Sequence, residues 1–394
     1  MDTKVSADAL KDYLISCRRT LHQMPELHFE LPQTTAFVAS QLQELSIPYQ
    51  IVENGGIVAR ISGKRSGKAF LLRADMDALP LREQSGEPFA STNGRMHACG
   101  HDLHTTMLLG AARLLKERED NLPGTVVLVF QSNEEGIAGM EVLVDQGLLE
   151  KNDIGAALAL HVMPGQGMDA GTYSCLPGAA NASVDEFRIE IRGKGTHGAM
   201  PYKGVDPINV GIHICNALAA IMTKEVDGRQ VTVLSNGYFN SGSPLAYNII
   251  PNTALVGGGL RTLDNQVAEY VKVRMRKVAE AISTAFQAEC TVTFPAHAPA
   301  CINDAGLAQL VNRCAAELGM TNLQSPPQLS SDDFSHVSVR TSSCYVWLGA
   351  GGSEEIYAGG VLHDPRVRFN EDAMPFGTAL MVDTAVRWLE ENQT

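Results

Sequence analysis

Short apolar segments alternate with amphipathic helical segments over the first and last parts of this chain, and this alternation restricts the fold more than any other feature. In the first part, four apolar runs bounded by Gly, Pro or charged residues predict buried strands. The four runs are Ile57–Ile61, Ala69–Leu72, Thr125–Gln131 and Ala156–His161. Apolar residues spaced three and four apart predict helices at 7–22, at 33–45 and near 104–117. The pattern indicates an α/β domain with a sheet buried on both faces.

The middle of the chain has a different order of elements. From about Ser183 the pattern becomes strand, helix, strand, strand, helix, strand, which resembles a ferredoxin-like split unit with one open sheet face. A chain of 394 residues also exceeds the size at which one hydrophobic core keeps growing. We therefore predict a discontinuous α/β domain at 1–183 and 297–394, interrupted by a ferredoxin-like α+β domain at 184–296.

Charge and composition argue against several classes of protein. The formal net charge is -13, whereas a nucleic-acid-binding protein needs a basic surface. The N-terminus has no basic segment followed by an apolar one, and no stretch approaches the ~20 apolar residues of a membrane span. The eight cysteines have no repeated spacing, so we expect reduced thiols. These features predict a cytoplasmic protein with neither nucleic-acid nor membrane partners.

The segment Met96–Thr106 concentrates residues that bind metal ions. Its sequence, MHACGHDLHTT, contains three histidines, one cysteine and one aspartate, directly before a predicted helix. Thiolate, imidazole and carboxylate are ligands that zinc and related ions accept, and Gly100 allows the tight turn that lets side chains converge. The alternative is a polar helix N-terminus in which Asp102 is the capping residue. We favour metal binding.

Three further groups of polar residues follow predicted strands. Glu134 and Glu135 come after the run that ends at Gln131, Asp75 and Asp77 come after another, and His161 ends a third. Ligands bind at the carboxyl ends of strands in open α/β sheets. In isolation, paired glutamates are usually solvated and a lone histidine is usually a packed core residue. Their shared position at strand ends favours a common site.

Several motifs in this order identify a resemblance to a known family. They are RRTLHQMPEL, RADMDALP, MHACGHDLHTT, FQ followed by EEG, LHV, GKGTHGAMP, DPI, NIIP followed by LRT, SSDDF and LHDP. The matches run from Arg18 to about Trp388. Together they resemble the aminoacylase and hippurate-hydrolase family of metal-dependent amidohydrolases, which includes the plant auxin-conjugate hydrolases. This family belongs with the larger group of co-catalytic metallopeptidases.

The resemblance implies a role for each matching residue. The implied ligands of two divalent metal ions (Zn, Mn, Co or Ni) are Cys99, His101, Glu135, His161 and His363. Glu134 resembles the general base, and His197 matches a histidine that stabilises the oxyanion. Asn248 and Arg261 match residues that hold the substrate carboxylate. Asp77 is suited by its chemistry to orient a ligand such as His101.

The implied activity is hydrolysis of the amide bond of small N-acyl amino acids in the discontinuous domain. The inserted domain is then expected to act as a lid and to form a homodimer. A dipeptidase or carboxypeptidase with the same site is an alternative, and so is a metal-dependent binding protein without turnover. Glu134 and His197 argue against the binding protein, because binding alone needs neither residue.

Some residues depart from the family pattern or stand outside it. The usual FQPAEE is FQSNEE here, the usual SEDF is SSDDF, and Tyr202 stands where a histidine often follows the proline. These changes remove no implied ligand, although Tyr202 affects any inference about the acyl group. We interpret His22 and His28, in the segment HQMPELH, as helix-end or loop residues rather than substrate contacts.

Overall fold

The fold is described from a computed structural model, in which residues 2–64 and 67–392 are placed. The chain divides into two compact units. The larger unit comprises the described residues up to Ala180, the segment Ile302–Pro326, and the described residues from Asp332 onward. The smaller unit comprises Asn181–Cys301 and Pro327–Ser331. Each unit has its own hydrophobic core.

Helices and strands alternate through much of the chain. The helices are α1 (Thr3–Ala9), α2 (Lys11–His22), α3 (Pro32–Glu44), α4 (His101–Glu117), α5 (Gly139–Asp145), α6 (Leu148–Lys151), α7 (Pro207–Lys224), α8 (Asn265–Ala285), α9 (Ala305–Glu317), α10 (Ser335–Ser338), α11 (Glu355–Ala358) and α12 (Ala373–Glu391). The strands are β1 (Tyr49–Val52), β2 (Gly56–Ser62), β3 (Ala69–Asp75), β4 (Thr125–Gln131), β5 (Ile154–Met163), β6 (Thr172–Ser174), β7 (Gly178–Asn181), β8 (Val184–Arg192), β9 (Thr196–His197), β10 (Thr232–Ser241), β11 (Ile249–Ile250), β12 (Thr253–Thr262), β13 (Glu289–Ala298), β14 (Cys301–Asn303), β15 (Thr321–Asn322) and β16 (Ser342–Gly349).

A sheet of eight strands forms the centre of the larger unit. Its order is β1-β2-β4-β3-β5-β16-β6-β15, and β4, β3, β5 and β16 run parallel to one another. Strands β3 and β4 are buried along their whole length, as the continuous apolar runs predicted. Because these four strands are parallel, their carboxyl ends lie at one edge of the sheet. In the pairing of β3 with β4, Asp75 is opposite Gln131, so the two strands end at the same level.

Helices α4 and α12 pack against the central sheet and against each other. Their apolar side chains join those of the strands in a core that includes Leu103, Leu108, Leu128, Leu158 and Leu380. The predicted α/β class is confirmed. This core packs the strands and helices that carry the strand ends, and a site built from several strands requires such support.

The single helix predicted at 7–22 is two helices in the structure. Leu10 separates α1 from α2 with φ -87° and ψ 0°, and its N–H donates to the carbonyl of Ala7. Ala7 and Leu14 are both fully buried, so the apolar spacing continues across the break. Periodicity alone therefore could not reveal the interruption.

The smaller unit confirms the ferredoxin-like prediction. Its four-stranded sheet has the order β10-β12-β8-β13 with antiparallel neighbours, and α7 and α8 pack on it. The core between these helices and the sheet includes Phe187, Ile189, Val210, Ile214 and Val271. A short pair formed by β9 and β11 lies outside this sheet.

Across the placed part of the chain, the helices are too short or too polar to span a lipid bilayer.

Candidate metal centre

The five residues predicted as metal ligands all belong to the larger unit. His161 lies in β5, Glu135 follows β4, and Cys99 and His101 flank the start of α4. His363 lies in the segment that joins α11 to α12. Residues separated by up to 264 positions are thus brought to one place.

The ligand atoms form two overlapping groups that share Cys99. Its Sγ lies 3.4 Å from Nε2 of His161 and 3.3 Å from Nε2 of His363. Cys99, His101 and His161 make one group, and Cys99, Glu135 and His363 make the other; within each group the ligand atoms lie within 4.8 Å of one another. Oε1 of Glu135 is also 3.4 Å from Nε2 of His363. The arrangement fits two cations with the thiolate between them.

The start of α4 depends on Gly100. This residue has φ 90°, a left-handed conformation in which an ordinary side chain is strained, and a Cβ there would clash with the side chain of Val162. The turn lets Cys99 and His101 point toward the same region although they are two residues apart. The helix begins at His101, three residues earlier than the sequence pattern indicated.

Two histidines have one ring nitrogen fixed by a backbone carbonyl. Nδ1 of His101 donates to the carbonyl of Asp77 at 2.8 Å, and Nδ1 of His161 donates to that of Val162 at 2.9 Å. The proton on Nδ1 leaves Nε2 of each neutral ring as a lone-pair donor for a metal ion. In the placed part of the chain, the buried atoms Nε2 of His101 and Oε1 of Glu135 have no hydrogen-bond partner. Buried polar atoms need partners, and a cation would supply them.

The charge around Cys99 also fits bound cations. Burial raises the pKa of its thiol well above the usual value, and the carboxylates of Glu135 and Glu134 raise it further. A thiol in this environment becomes a thiolate only when positive charge is placed beside it. The donor set of one thiol, three imidazoles and one carboxylate is one that zinc and its neighbours accept.

Asp77 organises the segment that carries the glutamate pair. Its two carboxylate oxygens accept the backbone N–H groups of Glu134 at 3.0 Å and Glu135 at 3.1 Å. Its Oδ1 is also 3.5 Å from Nδ1 of His101. Burial raises the pKa of Asp77, although His101 opposes the shift. One buried carboxyl group therefore contacts two segments that supply ligands, which extends its predicted role of orienting His101.

Glu134 lies beside the candidate ligands. Its Oε2 is 3.8 Å from Nε2 of His101, and it forms a further acidic group with Asp332 and Asp333. Burial raises the pKa of Glu134 well above its usual value, and the negative charges of Asp332 and Glu135 add to the shift. A carboxyl group with a raised pKa is a stronger proton acceptor than an exposed one. This property suits a general base.

A buried polar network beneath Glu134 was missed by the sequence analysis. The fully buried Arg73 donates to Gln131 at 2.8 Å and to Asp75 at 2.7 Å, and it pairs with Asp332 and Asp333. The motif SSDDF contained both aspartates, but nothing in the sequence placed them against an arginine 260 positions away.

The remaining residues of the Met96–Thr106 cluster lie apart from the two ligand groups or have another role. Nδ1 of His104 donates to Asp75 at 2.6 Å, while its Nε2 accepts the N–H of Val162. Asp102 accepts from Arg18 at 2.9 Å and pairs with His22 at 2.8 Å. It does not cap the helix. His97 is buried elsewhere, and burial lowers its pKa to about 3.

Left-handed backbone occurs at several residues in and beside the centre. His363 has φ 66°, Asn133 has φ 56° and Ile137 has φ 54°. Left-handed conformations are uncommon for residues other than glycine, and especially for a β-branched one such as Ile137. Such conformations persist where the surroundings impose them, and they are frequent at active sites.

His197, Asn248 and Arg261 belong to the smaller unit. His197 is in β9 and pairs with Ile249 of β11, and the N–H of Gly198 donates to the carbonyl of Asn248 at 2.7 Å. The fold thus brings His197 and Asn248 together. Arg261 lies in β12, and its Nη1 donates to the carbonyl of Leu329 and to Oγ of Ser331.

Nδ1 of His197 accepts the backbone N–H of Ala199 at 3.0 Å. The proton of the neutral ring is therefore on Nε2. The side chain is exposed, so Nε2–H is oriented by the loop and available as a donor.

Comparison with known proteins places this architecture in a family. Residues 71–387 match the pattern of peptidase family M20/M25/M40. An N-acetyl-L-cysteine deacetylase from Bacillus subtilis is 36% identical over 391 residues, which cover 99% of this chain and 91% of that protein. Thermostable carboxypeptidase 2 from Saccharolobus solfataricus is 32% identical over 96% of each chain. A crystal structure of a Bacillus subtilis protein described as a dinuclear metal binding peptidase from the M20 family has a TM-score of 0.82 and 32% identity, and covers 97% of this chain and 99% of that one. This chain therefore belongs to peptidase family M20/M25/M40.

Proposed function

We propose that the protein hydrolyses the amide bond of small N-acyl amino acids, releasing a carboxylic acid and a free amino acid, at a centre that holds two divalent metal ions. The observation that carries the proposal is the pair of ligand groups that share Cys99, with Glu134 beside them. The similarity to a deacetylase of N-acetyl-L-cysteine supports the substrate class. The structural similarity to a dinuclear metal binding peptidase supports the number of ions.

The proposed ligands are Cys99, His101, Glu135, His161 and His363. Two divalent ions held by these residues would supply a Lewis acid for the scissile carbonyl and would lower the pKa of the attacking water. The donor set favours zinc over manganese on intrinsic affinity, although cellular supply also decides which metal is bound.

Glu134 is the proposed general base. Its carboxylate takes a proton from the attacking water as the water oxygen forms a bond to the carbonyl carbon. It then gives that proton to the amide nitrogen as the C–N bond breaks, which releases the carboxylic acid and the free amine. Asp77 holds the backbone of Glu134 and keeps the ring of His101 in the tautomer that a ligand needs. Contacts within the larger unit support both of these proposed roles.

His197, Asn248 and Arg261 are proposed to contact the substrate from the smaller unit. Nε2–H of His197 can donate to the developing oxyanion, and such donors typically contribute ~3 to 4 kcal/mol to catalysis. The planar guanidinium of Arg261 matches a carboxylate in a two-pronged pair. Closure of the smaller unit as a lid would bring these groups to the substrate only when it is bound.

We also propose that the smaller unit forms a homodimer through β10. This strand is at the edge of its sheet and exposes Val233, Tyr238 and Phe239, and Leu245 and Tyr247 after it are more than 90% exposed. An edge strand with apolar side chains is a surface that pairs with another chain. Sedimentation at assay concentration should give a dimer for the wild type and a monomer for Phe239→Lys. An active wild-type monomer would refute the dimer.

The alternative is a dipeptidase or carboxypeptidase that hydrolyses small peptides, and the similarity to thermostable carboxypeptidase 2 supports it. A substrate panel separates the two activities: N-acetyl and N-benzoyl amino acids on one side, and dipeptides and longer peptides with a free α-amine on the other. Each substrate is tested with apo-protein reloaded with Zn, Mn, Co or Ni. We expect higher kcat/KM for the N-acyl amino acids. A preference for free peptides with every metal would favour the alternative.

A further inference from the structure

The segment between α2 and α3 contacts two residues that are neighbours in sequence of Asp77 and of the candidate general base Glu134. The carbonyl of Glu26 accepts the N–H of Ala78 at 2.8 Å, directly after Asp77. The carboxylate of Glu26 accepts the N–H of Thr34 at 2.9 Å, in the first turn of α3. Glu26 therefore joins the segment both to the start of α3 and to the residue that follows Asp77.

Two residues further along, His28 makes the second contact. Its Nδ1 lies 3.2 Å from Oδ1 of Asn133, the residue that precedes Glu134. Since a carboxamide oxygen can only accept, Nδ1 of His28 is the donor. His28 is exposed and does not belong to the hydrophobic core, so its fixed contact is the hydrogen bond to Asn133. The contacts described above for the proposed metal ligands and for Glu134 do not involve His28.

Both partners of this hydrogen bond have left-handed backbones. His28 has φ 57° and Asn133 has φ 56°. The carbonyl of Asn133 accepts the N–H of Gly139 at 3.2 Å, which closes the turn after β4. Within the turn, Gly136 packs so tightly against the Asn133 side chain that a Cβ would clash. His28 thus holds Asn133 from outside a turn whose conformation sets the direction of Glu134.

We propose that His28 is a positioning residue for Glu134. The α2–α3 segment contacts Ala78, which follows Asp77, and Asn133, which precedes Glu134. These contacts keep the Glu134 carboxylate in the orientation that proton transfer requires. This role rests on the proposed function, in which Glu134 moves protons. It implies that loss of His28 changes kcat, because a base that is misaligned by a fraction of an ångström transfers protons poorly while substrate binding is unaffected.

The test is a double-mutant cycle in the metal-loaded full-length protein. His28→Ala and Asn133→Gly each remove one side of the contact, and Gly keeps the left-handed backbone free of strain. We expect each variant to lower kcat about 10-fold, with KM unchanged and two metals bound, and the double variant to fall no further. His28→Asn should restore kcat, because its amide nitrogen takes the place of Nδ1 and asparagine tolerates the left-handed conformation.

His213→Ala is the matched control. His213 stacks on Phe286 in the smaller unit and has no part in the site, so its kcat should equal that of the wild type. A wild-type kcat in His28→Ala would overturn the positioning role, and so would additive losses in the double variant. A fall in kcat that is matched by a fall in metal content would also overturn it, and so would a kcat that His28→Asn does not restore. Failure of the proposed function is distinct, since wild-type protein would then hydrolyse none of the N-acyl amino acids.

Discussion

At the scale of single residues, the hydrogen bond made by one ring nitrogen of a buried histidine determines whether the other nitrogen can bind a metal ion. His101 and His161 each donate from Nδ1 to a carbonyl, and this leaves Nε2 for a metal ion. His104 has the same side chain but donates to Asp75 and accepts from Val162, so both of its nitrogens are occupied. The spacing of histidines in the sequence therefore indicated candidate ligands. The hydrogen bonds distinguish the proposed ligands His101 and His161 from His104, whose two nitrogens are already occupied.

Replacing Glu134 by glutamine should remove most turnover and leave the metals in place. The amide cannot accept a proton from water, and general base catalysis typically contributes ~10² to 10⁴-fold. The variant is measured by kcat and by metal content after gel filtration. Glu150→Gln, at an exposed position in α6, is the control. A fall of less than about tenfold with both metals retained would show that another group is the base.

At the scale of elements, the order of strands explains why the site lies where it does. Strands β3, β4, β5 and β16 are parallel, so the residues that follow them meet at one edge. The sequence predicted this edge correctly, since apolar runs and their polar ends are local features. It did not predict the break at Leu10 or the burial of Arg73. The first is hidden by continuous apolar spacing, and the second depends on partners about 260 positions away.

Arg73 supports the strand ends by neutralising buried carboxylates. It is fully buried against Asp75, Asp332 and Asp333. Burial would lower its pKa, but the charges of Asp332 and Asp75 outweigh burial and raise the pKa well above the usual value. The guanidinium therefore stays charged throughout the pH range in which the protein is folded.

Replacing Arg73 by methionine should destabilise the larger unit by about 3 to 5 kcal/mol, because carboxylates would remain buried without a counter-charge. The free energy of unfolding is obtained from urea denaturation at neutral pH. Arg229→Met removes an arginine whose side chain is 90% exposed and is paired with Asp227, and it should leave the midpoint unchanged. Equal midpoints for both variants would contradict the structural role of Arg73.

At the scale of the whole molecule, the two units carry different parts of the proposed chemistry. Proposed metal ligands and Glu134 lie in the larger unit, whereas His197, Asn248 and Arg261 lie in the smaller one. The fold of each unit followed from the order of helix and strand patterns. The roles of the residues in the smaller unit came from family resemblance alone, because His197, Asn248 and Arg261 stand in no distinctive local pattern of their own.

Arg261→Ala should raise KM for a substrate with a free carboxylate by about 10-fold or more, because a hydrogen bond to a charged group is lost. The same substrate with its carboxylate converted to an amide should show no such rise. Arg261→Lys should not restore the wild-type KM, since an ammonium cannot form the two-pronged pair. Arg192→Ala, at an exposed position in β8, is the control. An unchanged KM for the carboxylate substrate would remove Arg261 from the binding site.

The central claim is a single centre in which two metal ions share the thiolate of Cys99. Anomalous diffraction from crystals of the metal-loaded protein measures this directly. The account predicts two peaks about 3.5 to 4 Å apart, both bonded to Sγ of Cys99, with His101 and His161 on one ion and Glu135 and His363 on the other. One peak, or two peaks that do not share Cys99, would contradict it.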